Sequence, residues 1–386
     1  MPIRLQRPGD WIRILVISPL FPPEIGGPST YVVPLARGLS SRGHKIEILT
    51  LAEAHPKEKY GLEVFSVLHK EGAAVRETRL LKSIISRARN ADVIYALDVA
   101  AIGMQSILAG KLLGKPVLVR YAGDTAWEKA RREKKSAKEL EPFLRSPDAN
   151  KLIVRLERFV LKNAAAVITP SRYLKRVIVD NFHIPEGRVH SINNAVEDVA
   201  PLQKKNFSIS YGRFVPWKHF DRIIEAFAGI PKEKLMVVGE GPLAKELEAM
   251  AEGKPNISIA GKMPHKELMS TLAESKIFIL NSSYEGMAHS ILEAFAAGTP
   301  VIASDIEPNR ELIKDGLNGI LVPLEPRERN VSAIREAVMK LRDKEFADML
   351  ARNGGSKLKD HSWPNIIRET EEVLLGVAPR RNPRTA

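Results

Sequence analysis

Cysteine is absent from this chain of 386 residues. The absence excludes disulfide bonds, thiolate zinc sites and cysteine nucleophiles, and it fits a protein that works in a reducing compartment. A long hydrophobic run is absent as well, since no segment approaches the roughly 20 apolar residues of a membrane-spanning helix. The longest apolar run near the start, residues 14–21, contains Ser18 and Pro19 and is not followed by a small-residue cleavage site. We therefore predict a buried first strand and a cytoplasmic protein, with peripheral contact at the inner face of the membrane compatible with this sequence.

Histidine pairs at metal-ligand spacing are also missing. The chain has nine histidines, and no two of them stand at the close spacing that zinc sites use. We therefore predict no metal site, and we interpret His289 as a pocket or packing residue.

Positive charge, in contrast, is abundant and uneven. Residues 1–195 hold 32 Lys and Arg against 19 Asp and Glu, whereas residues 196–386 hold 27 of each, so the net charge of +13 lies in the first half. Such a basic half indicates an anionic partner, for example a membrane surface, a phosphorylated acceptor or a nucleic acid. A solvated basic surface without a partner explains the asymmetry equally well. The chain shows no recognisable nucleic-acid module and no pattern of aromatic residues interleaved with basic ones, so we expect no nucleic-acid partner, and a nucleic-acid-binding protein is a remote alternative.

Short aliphatic runs alternate with segments of helical period along the whole chain, which predicts parallel βαβ units and an α/β fold. The predicted strands of the first half are residues 12–18, 45–50, 63–68, 92–96, 116–120 and 165–169. Those of the second half are residues 207–211, 234–238, 256–260, 276–280, 300–303 and 319–322. Two Rossmann-like, doubly wound domains follow from this pattern.

The predicted domains are residues 1–195 and 196–362, because Pro201 and the pair Lys204 and Lys205 interrupt any regular pattern between them. An amphipathic helix is predicted over residues 363–377, and the Pro and Arg tail at residues 378–386 has nothing to bury and is predicted to be disordered. The segment 127–144 is dense in charge, has little apolar periodicity and is interpreted as a mobile insertion. Its basic run comprises Arg131, Arg132, Lys134 and Lys135.

Paired glycines follow the first predicted strand, at Gly26 and Gly27. Glycine permits backbone conformations closed to other residues, and the next helix offers free amide groups, so an anion can approach here. The segment is neither a Walker loop nor a complete GxGxxG fingerprint. Taken alone, it also fits an ordinary turn.

Two cations follow the first strand of the second half. Arg213 and Lys218 lie where ligands bind in open α/β sheets, outside the carboxyl ends of the strands, and a diphosphate fits between two such charges. Either residue taken alone is equally typical of a surface salt bridge.

Two glutamates, Glu285 and Glu293, stand eight positions apart in the segment 282–300. We predict that Glu285 lies in the loop after a buried strand and that Glu293 lies one to two turns into the next helix, where it can bond a ribose diol. The amides around the start of this helix are predicted to bind the diphosphate. The predicted donor-binding residues of this loop are Glu285, Gly286, Met287, Ala288, His289 and Glu293.

The order of these motifs resembles glycosyltransferase family 4. The resemblance covers about residues 12–376 and also includes the segments Val238-Gly239-Glu240-Gly241-Pro242, Gly298-Thr299-Pro300-Val301 and Asp315-Gly316-Leu317-Asn318-Gly319. It implies a GT-B fold, in which two Rossmann-like domains face each other and a final helix crosses back to the first. It also implies retaining transfer of a hexose from a UDP- or GDP-sugar to a glycan or lipid-linked acceptor, by a front-face route that requires no metal.

Carried over position by position, the resemblance assigns the diphosphate to Arg213 and Lys218, the ribose to Glu293 and the sugar hydroxyls to Glu285, and Gly27 lets the first-domain loop close over the donor. The family commonly has a histidine after the fifth strand, where this chain has Ala122. Asp124 or Arg120 is the hypothetical replacement, and we include Asp124 with the two cations and Glu285 as catalytic candidates. The alternative is a relative that binds a nucleotide sugar or a partner enzyme without catalysis.

Overall fold

Two parallel sheets form the framework of the protein in a computed structural model that describes residues 11–24, 27–68, 72–147, 149, 151–200 and 202–379. Within these residues, the first sheet has seven strands in the order β3-β2-β1-β4-β5-β6-β7 and the second has six in the order β10-β9-β8-β11-β12-β13. The strands of the first sheet are β1 (Arg13–Ser18), β2 (Lys45–Ala52), β3 (Glu63–Leu68), β4 (Val93–Ala96), β5 (Val117–Arg120), β6 (Ala166–Thr169) and β7 (Val189–Ser191). Those of the second are β8 (Ser208–Tyr211), β9 (Leu235–Val238), β10 (Ile257–Ile259), β11 (Ile277–Leu280), β12 (Val301–Ser304) and β13 (Ile320–Val322).

Helices cover both faces of each sheet. Those that accompany the first sheet are α1 (Gly27–Ser41), α2 (Ala73–Ala88), α3 (Ala101–Leu113), α4 (Thr125–Arg132), α5 (Leu140–Leu144), α6 (Lys151–Asn163) and α7 (Arg172–Phe182). Those that follow β8 are α8 (Phe220–Ala228), α9 (Ala244–Ala251), α10 (His265–Glu274), α11 (His289–Ala296), α12 (Glu307–Leu312), α13 (Arg327–Lys340), α14 (Lys344–Ser356) and α15 (Trp363–Val377). Short 3-10 helices lie at Glu186–Arg188, Pro216–Lys218 and Lys357–His361.

The strands are apolar on both faces because both faces are covered. In β1, Leu15 and Ile17 join one hydrophobic cluster while Ile14 and Val16 join another. A parallel sheet buried on both sides requires such continuous apolar runs, and this is why its strands could be located from sequence. All twelve predicted strands are confirmed to within two residues at either end. Strand β7 was missed because two of its three residues, His190 and Ser191, are polar, so it contains no apolar run.

The prediction of a mobile insertion at residues 127–144 is wrong. The segment forms α4 and α5, and its large apolar residues Trp127, Leu140 and Phe143 are buried in the core of the first sheet. The apolar residues are few but large, so they anchor the segment although the surrounding charges hide the helical pattern.

The last helix, α15, packs on α1 of the first domain. A Cβ atom at Gly38 would lie only 2.0 Å from the Ile367 side chain, so the two helices approach closely. The buried Glu371 carboxylate accepts a hydrogen bond from His44 Nε2 at 2.7 Å and pairs with Arg42 at 2.7 Å. The predicted disordered tail lies, from residue 380 onward, outside the described residues. None of the helices in the described part of the chain has the length and hydrophobicity to cross a membrane.

Candidate functional site

The candidate site lies where the strand order of the second sheet reverses. From β8 the chain continues outward to β9 and β10, and it then returns to add β11 on the opposite side of β8. Adjacent strands with diverging connections leave a crevice at their carboxyl ends, which is the usual ligand site of open α/β sheets. The loop after β8 carries Arg213 and Lys218, and the loop after β11 carries Glu285, so the topology brings these distant residues together.

Lys218 and Glu285 form the central ion pair of the site. Lys218 Nζ lies 2.6 Å from Glu285 Oε1, and the two side chains are 18% and 11% exposed. The amide of Ser283 donates to the carbonyl of Trp217 at 2.8 Å, which ties the two loops together beside the pair. An ammonium held by one carboxylate at an open crevice is placed to bind a second anion.

Arg213 lies exposed in the loop after β8. Two glycines of the loop after β9 pack against this segment, because a Cβ atom at Gly239 would lie 1.9 Å from the carbonyl oxygen of Gly212 and one at Gly241 would lie 2.6 Å from that of Phe214. Gly239 and Gly241 have φ values of 152° and 155°, which side chains disfavour. Backbone-to-backbone packing thus fixes the loop that presents Arg213. No ion pair of this guanidinium is found among the described residues.

Glu293 lies in the second turn of α11 and is buried. The hydroxyl of Tyr211, the last residue of β8, donates to Glu293 Oε2 at 2.5 Å. His289 Nε2 and His265 Nε2 lie 3.6 and 3.9 Å from the other oxygen, Oε1. Burial raises the pKa of Glu293, whereas the hydrogen bond from Tyr211 and the charge of His265 lower it. One carboxylate oxygen is thus held by the protein, and the other faces polar groups at the crevice.

The start of α11 differs in part from the prediction. The His289 amide donates to the Met287 carbonyl at 2.8 Å, so this amide is already engaged. Met287 and Ala288 are buried, and Met287 Sδ accepts from the Asn194 amide at 3.3 Å. Among the described residues, no backbone carbonyl outside the regular helices and strands accepts a hydrogen bond from the amide of Met287 or Ala288.

The first domain faces this site through the segment after β5. Ala122 is exposed, and a Cβ atom on Gly286 would lie 2.2 Å from the Ala122 carbonyl oxygen. The Ser171 hydroxyl donates to the Gly286 carbonyl at 2.6 Å. The loop around Glu285 is therefore pressed against the residue that stands where the resemblance predicts a histidine.

Asp124, one of the predicted catalytic residues, lies buried beside the segment that faces the site. Asp124 is fully buried and caps α4, with Oδ1 accepting from the Trp127 amide at 2.7 Å and Oδ2 from the Tyr121 hydroxyl at 2.9 Å. Each oxygen therefore already accepts one hydrogen bond from the protein, and the carboxylate is not exposed at the surface. The alternative, Arg120, is also buried, stacks 4.1 Å from the Tyr31 ring centroid and donates to Asn194 at 2.7 Å.

Of the predicted glycine pair, the structure describes only Gly27. Gly26 lies outside the described residues. Gly27 begins α1 and is exposed, with no atom within 4 Å of where its Cβ would be. The space in front of the first helix is therefore open at this residue.

Three aromatic residues join the two domains beside the site, and their role was missed from the sequence. The Trp127 ring of α4 lies 4.3 Å from that of Tyr284 and 5.3 Å from that of Trp217, measured between centroids. All three are buried in one cluster with the first-domain core. The sequence feature that could have indicated this contact is Trp127, a large apolar residue at the start of a charged segment, followed by Glu128.

Two family models match the chain in succession. The model described as Glycosyltransferase Family 4 matches residues 25–199, and the one described as Glycosyl transferases group 1 matches residues 191–356. Several curated relatives are matched over about three fifths of their length; the uncharacterized glycosyltransferase MJ1069 of Methanocaldococcus jannaschii is 27% identical over 239 residues, which cover 56% of this chain and 60% of that protein.

Other similarities extend over nearly the whole chain. The GDP-mannose-dependent alpha-mannosyltransferase of Mycobacterium tuberculosis is 24% identical, with 97% of this chain and 99% of that protein covered. The structure of Anabaena HepE in complex with UDP and glucose has a TM-score of 0.74 at 18% identity, covering 95% of this chain and 100% of that one. The latter likeness shows the fold. Together with the two family models, these findings show that the chain belongs to glycosyltransferase family 4 and has the GT-B fold.

Proposed function

We propose that this protein transfers a hexose from a nucleoside diphosphate sugar to a hydroxyl of a glycan or lipid-linked acceptor, with retention of anomeric configuration. The observation that carries the proposal is that the Lys218–Glu285 and Tyr211–Glu293 pairs join the segments that follow two adjacent strands, β8 and β11, and that Arg213 lies in the same loop as Lys218. Two cations suit a diphosphate, and two carboxylates suit the hydroxyls of a ribose and a sugar.

In this proposal the donor reorganises the central ion pair. Lys218 moves from Glu285 to the diphosphate, and Arg213 binds it from the exposed side. Glu285 is then free to accept hydrogen bonds from the hexose, while Glu293 binds the ribose diol. The bond between the anomeric carbon and the diphosphate oxygen breaks, and the acceptor oxygen bonds to the same face of that carbon. The acceptor proton passes to the departing phosphate oxygen, so the route needs no separate base.

Fixed positive charge around the leaving diphosphate supplies much of the catalysis in such a site. The two cations neutralise charge that would otherwise require a metal. The donor is proposed to be a UDP- or GDP-sugar. The M. tuberculosis relative depends on GDP-mannose, and HepE was solved with UDP and glucose.

The acceptor side of the proposal includes an anionic membrane surface. An Escherichia coli relative, 22% identical over 325 residues, acts on a diphosphoundecaprenol-linked sugar. The basic excess of the first half suits such a surface. Arg132, Lys134 and Lys135, at the end of α4 and just after it, are exposed, whereas Arg131 donates to the Ala137 carbonyl at 2.6 Å.

A panel of UDP- and GDP-hexoses tests the donor assignment. The true donor is expected to raise the melting temperature, because ligand that binds only the native state stabilises it. That donor is then incubated with a lipid extract, and release of nucleoside diphosphate together with an NMR assignment of the new linkage tests transfer and retention. Inversion at the anomeric carbon would contradict the front-face route.

A non-catalytic relative remains the second candidate, favoured by Ala122 and by the burial of Asp124. It predicts that a nucleotide sugar binds but that no nucleoside diphosphate is released with any acceptor extract. Turnover in the same experiment excludes it.

A further inference from the structure

Glu128 is a carboxylate of the first domain that the proposed mechanism does not use. It lies in the first turn of α4, immediately after Trp127. The Asp124 cap and the packing of Trp127 against Tyr284 fix this turn at the boundary between the domains. The side chain of Glu128 is thus carried by a rigid element and not by a loose loop.

The carboxylate of Glu128 lies over the backbone of Gly123. A Cβ atom at Gly123 would be 2.7 Å from Glu128 Oε1, which is too close for a side chain, so glycine leaves the space that the carboxylate fills. The preceding residue, Ala122, contacts Gly286 through its carbonyl. The Ala122–Gly123 segment is therefore contacted both by Glu128 and by the loop that carries Glu285.

The charge environment connects Glu128 to the donor site. Burial raises the pKa of Glu128 and the Asp124 charge adds to this effect, while the positive charges of Arg132, Arg213 and Lys218 lower it. Two of these cations are the proposed diphosphate ligands. The carboxylate is thus within electrostatic range of the diphosphate site although it belongs to the other domain.

Glu128 has no partner for its carboxylate among the residues that the structure describes. In the described part of the chain, Glu285 pairs with Lys218 and Glu293 with Tyr211, whereas no hydrogen bond or ion pair reaches the oxygens of Glu128. A partly buried carboxylate without a partner loses hydration without compensation. Such a group, located between two halves of a proposed site, is suited to hydrogen bonds with a ligand.

We propose that Glu128 contacts the transferred hexose and accepts hydrogen bonds from its hydroxyls. Ala122 cannot do this, because its side chain is a methyl group without a polar atom. This inference rests on the proposed function and extends it to a residue of the first domain. Ala122, Gly123 and Glu128 form one unit in this account. The small residues leave room, and the carboxylate reaches the sugar from the helix behind them.

Two variants test the inference in different ways. Glu128→Gln removes the charge but keeps the shape, and Gly123→Ala keeps the charge but displaces the carboxylate, since Gly123 does not have a positive φ that would strain alanine. Glu133→Gln is the matched control, because Glu133 ends the same helix, is exposed and pairs only with Lys135 among the described residues.

The measurement is the ratio of affinities for a sugar nucleotide and its free nucleotide, using UDP-glucose against UDP and GDP-mannose against GDP. Both test variants are expected to lower this ratio about 10-fold or more, as for the loss of hydrogen bonds to a charged group. Free UDP or GDP is expected to bind Gly123→Ala as it binds the control, and to bind Glu128→Gln at least as tightly, because that variant removes a negative charge near Arg213 and Lys218. The melting temperatures of both variants are expected to be no lower than that of the control. Transfer from the preferred donor should fall at least as much as the affinity ratio.

Three results would overturn the inference. If wild type binds a sugar nucleotide and both variants retain its affinity ratio within about twofold, Glu128 does not contact the hexose. If transfer is lost with an unchanged ratio, the carboxylate serves the acceptor instead. If wild type binds neither the free nor the sugar nucleotides, the proposed function fails and the inference fails with it, an outcome distinguishable from the first two.

Discussion

Replacement of Lys218 by Met tests the proposed donor site through its central ion pair. The variant keeps the length and much of the bulk of the side chain but removes the ammonium that lies 2.6 Å from Glu285. A charge-assisted contact to phosphate contributes about 1.5–3 kcal/mol. Donor binding must first break the Lys218–Glu285 pair, which is partly exposed and contributes at most about 1 kcal/mol. The net loss in Lys218→Met is therefore about 0.5–3 kcal/mol, or roughly 2- to 160-fold in affinity for UDP or GDP.

Glu285→Gln completes a double-mutant cycle with Lys218→Met, and it is expected to change nucleotide affinity in the opposite direction. On its own it releases Lys218, so free nucleotide is expected to bind as tightly as in wild type or more tightly. Added to Lys218→Met, it removes an unpaired carboxylate from the diphosphate site and should recover part of the lost affinity, a coupling of about 0.5–3 kcal/mol. Calorimetric titration measures all four proteins. Lys205→Met is the control, since its partner Glu274 lies 2.7 Å away at the other end of the sheet.

A Lys218→Met protein that binds both nucleotides within twofold of wild type would refute this reasoning. Strictly additive effects of the two substitutions would also contradict it, because the pair would then play no part in binding.

Further predictions concern the supports of the site. Tyr211→Phe removes the hydrogen bond that lowers the pKa of Glu293, so as the pH falls nucleotide affinity should be lost at a higher pH than in wild type; affinity titrations against pH that coincide for the two proteins would contradict this. In Glu371→Gln the unfolding free energy at pH 7 should fall by about 1–3 kcal/mol. Its Arg42 and His44 partners lower the pKa of Glu371 in the folded state. The stabilisation is therefore present above the pKa of Glu371 in the unfolded state and is lost as the pH falls through its pKa in the folded state. The unfolding free energies of wild type and variant, measured in urea, must therefore converge in acid. Trp127→Ala should cost about 3–5 kcal/mol by cavity formation, measured by chemical denaturation, and a smaller loss would show that the domain contact is loose. Neutralising the basic run should weaken binding to anionic vesicles more than donor binding, in co-sedimentation and titration; unchanged vesicle binding would reject that contact. The substituted residues in this last case are Arg131, Arg132, Lys134 and Lys135.

The strands could be predicted because burial on both faces forces continuous apolar runs, and β1 is an example of such a run. The proximity of Lys218 and Glu285 could also be predicted, because both residues follow strands and ligand sites lie at the carboxyl ends of the strands. The cap formed by Asp124 was not foreseen. An aspartate at the start of a helix is a capping signal, but the same residue lies two positions after Ala122, where it also fits a substitute for the missing histidine.

The domain contact was harder to predict for a different reason. Trp127 and Tyr284 are 157 positions apart in the sequence, and no local pattern announces that they pack together. The proposed role of Glu128 depends on that contact, because Trp127 holds α4 against the second domain. Local periodicity identifies elements, whereas contacts between domains depend on three-dimensional packing.

The most direct test of the central claim is a crystal structure with a bound UDP- or GDP-hexose. We expect the diphosphate oxygens to lie about 2.7–3.0 Å from the terminal nitrogens of Arg213 and Lys218, the ribose hydroxyls to contact Glu293, and Glu285 to have exchanged Lys218 for the hexose. A nucleotide bound elsewhere, with the Lys218–Glu285 pair intact, would contradict the account.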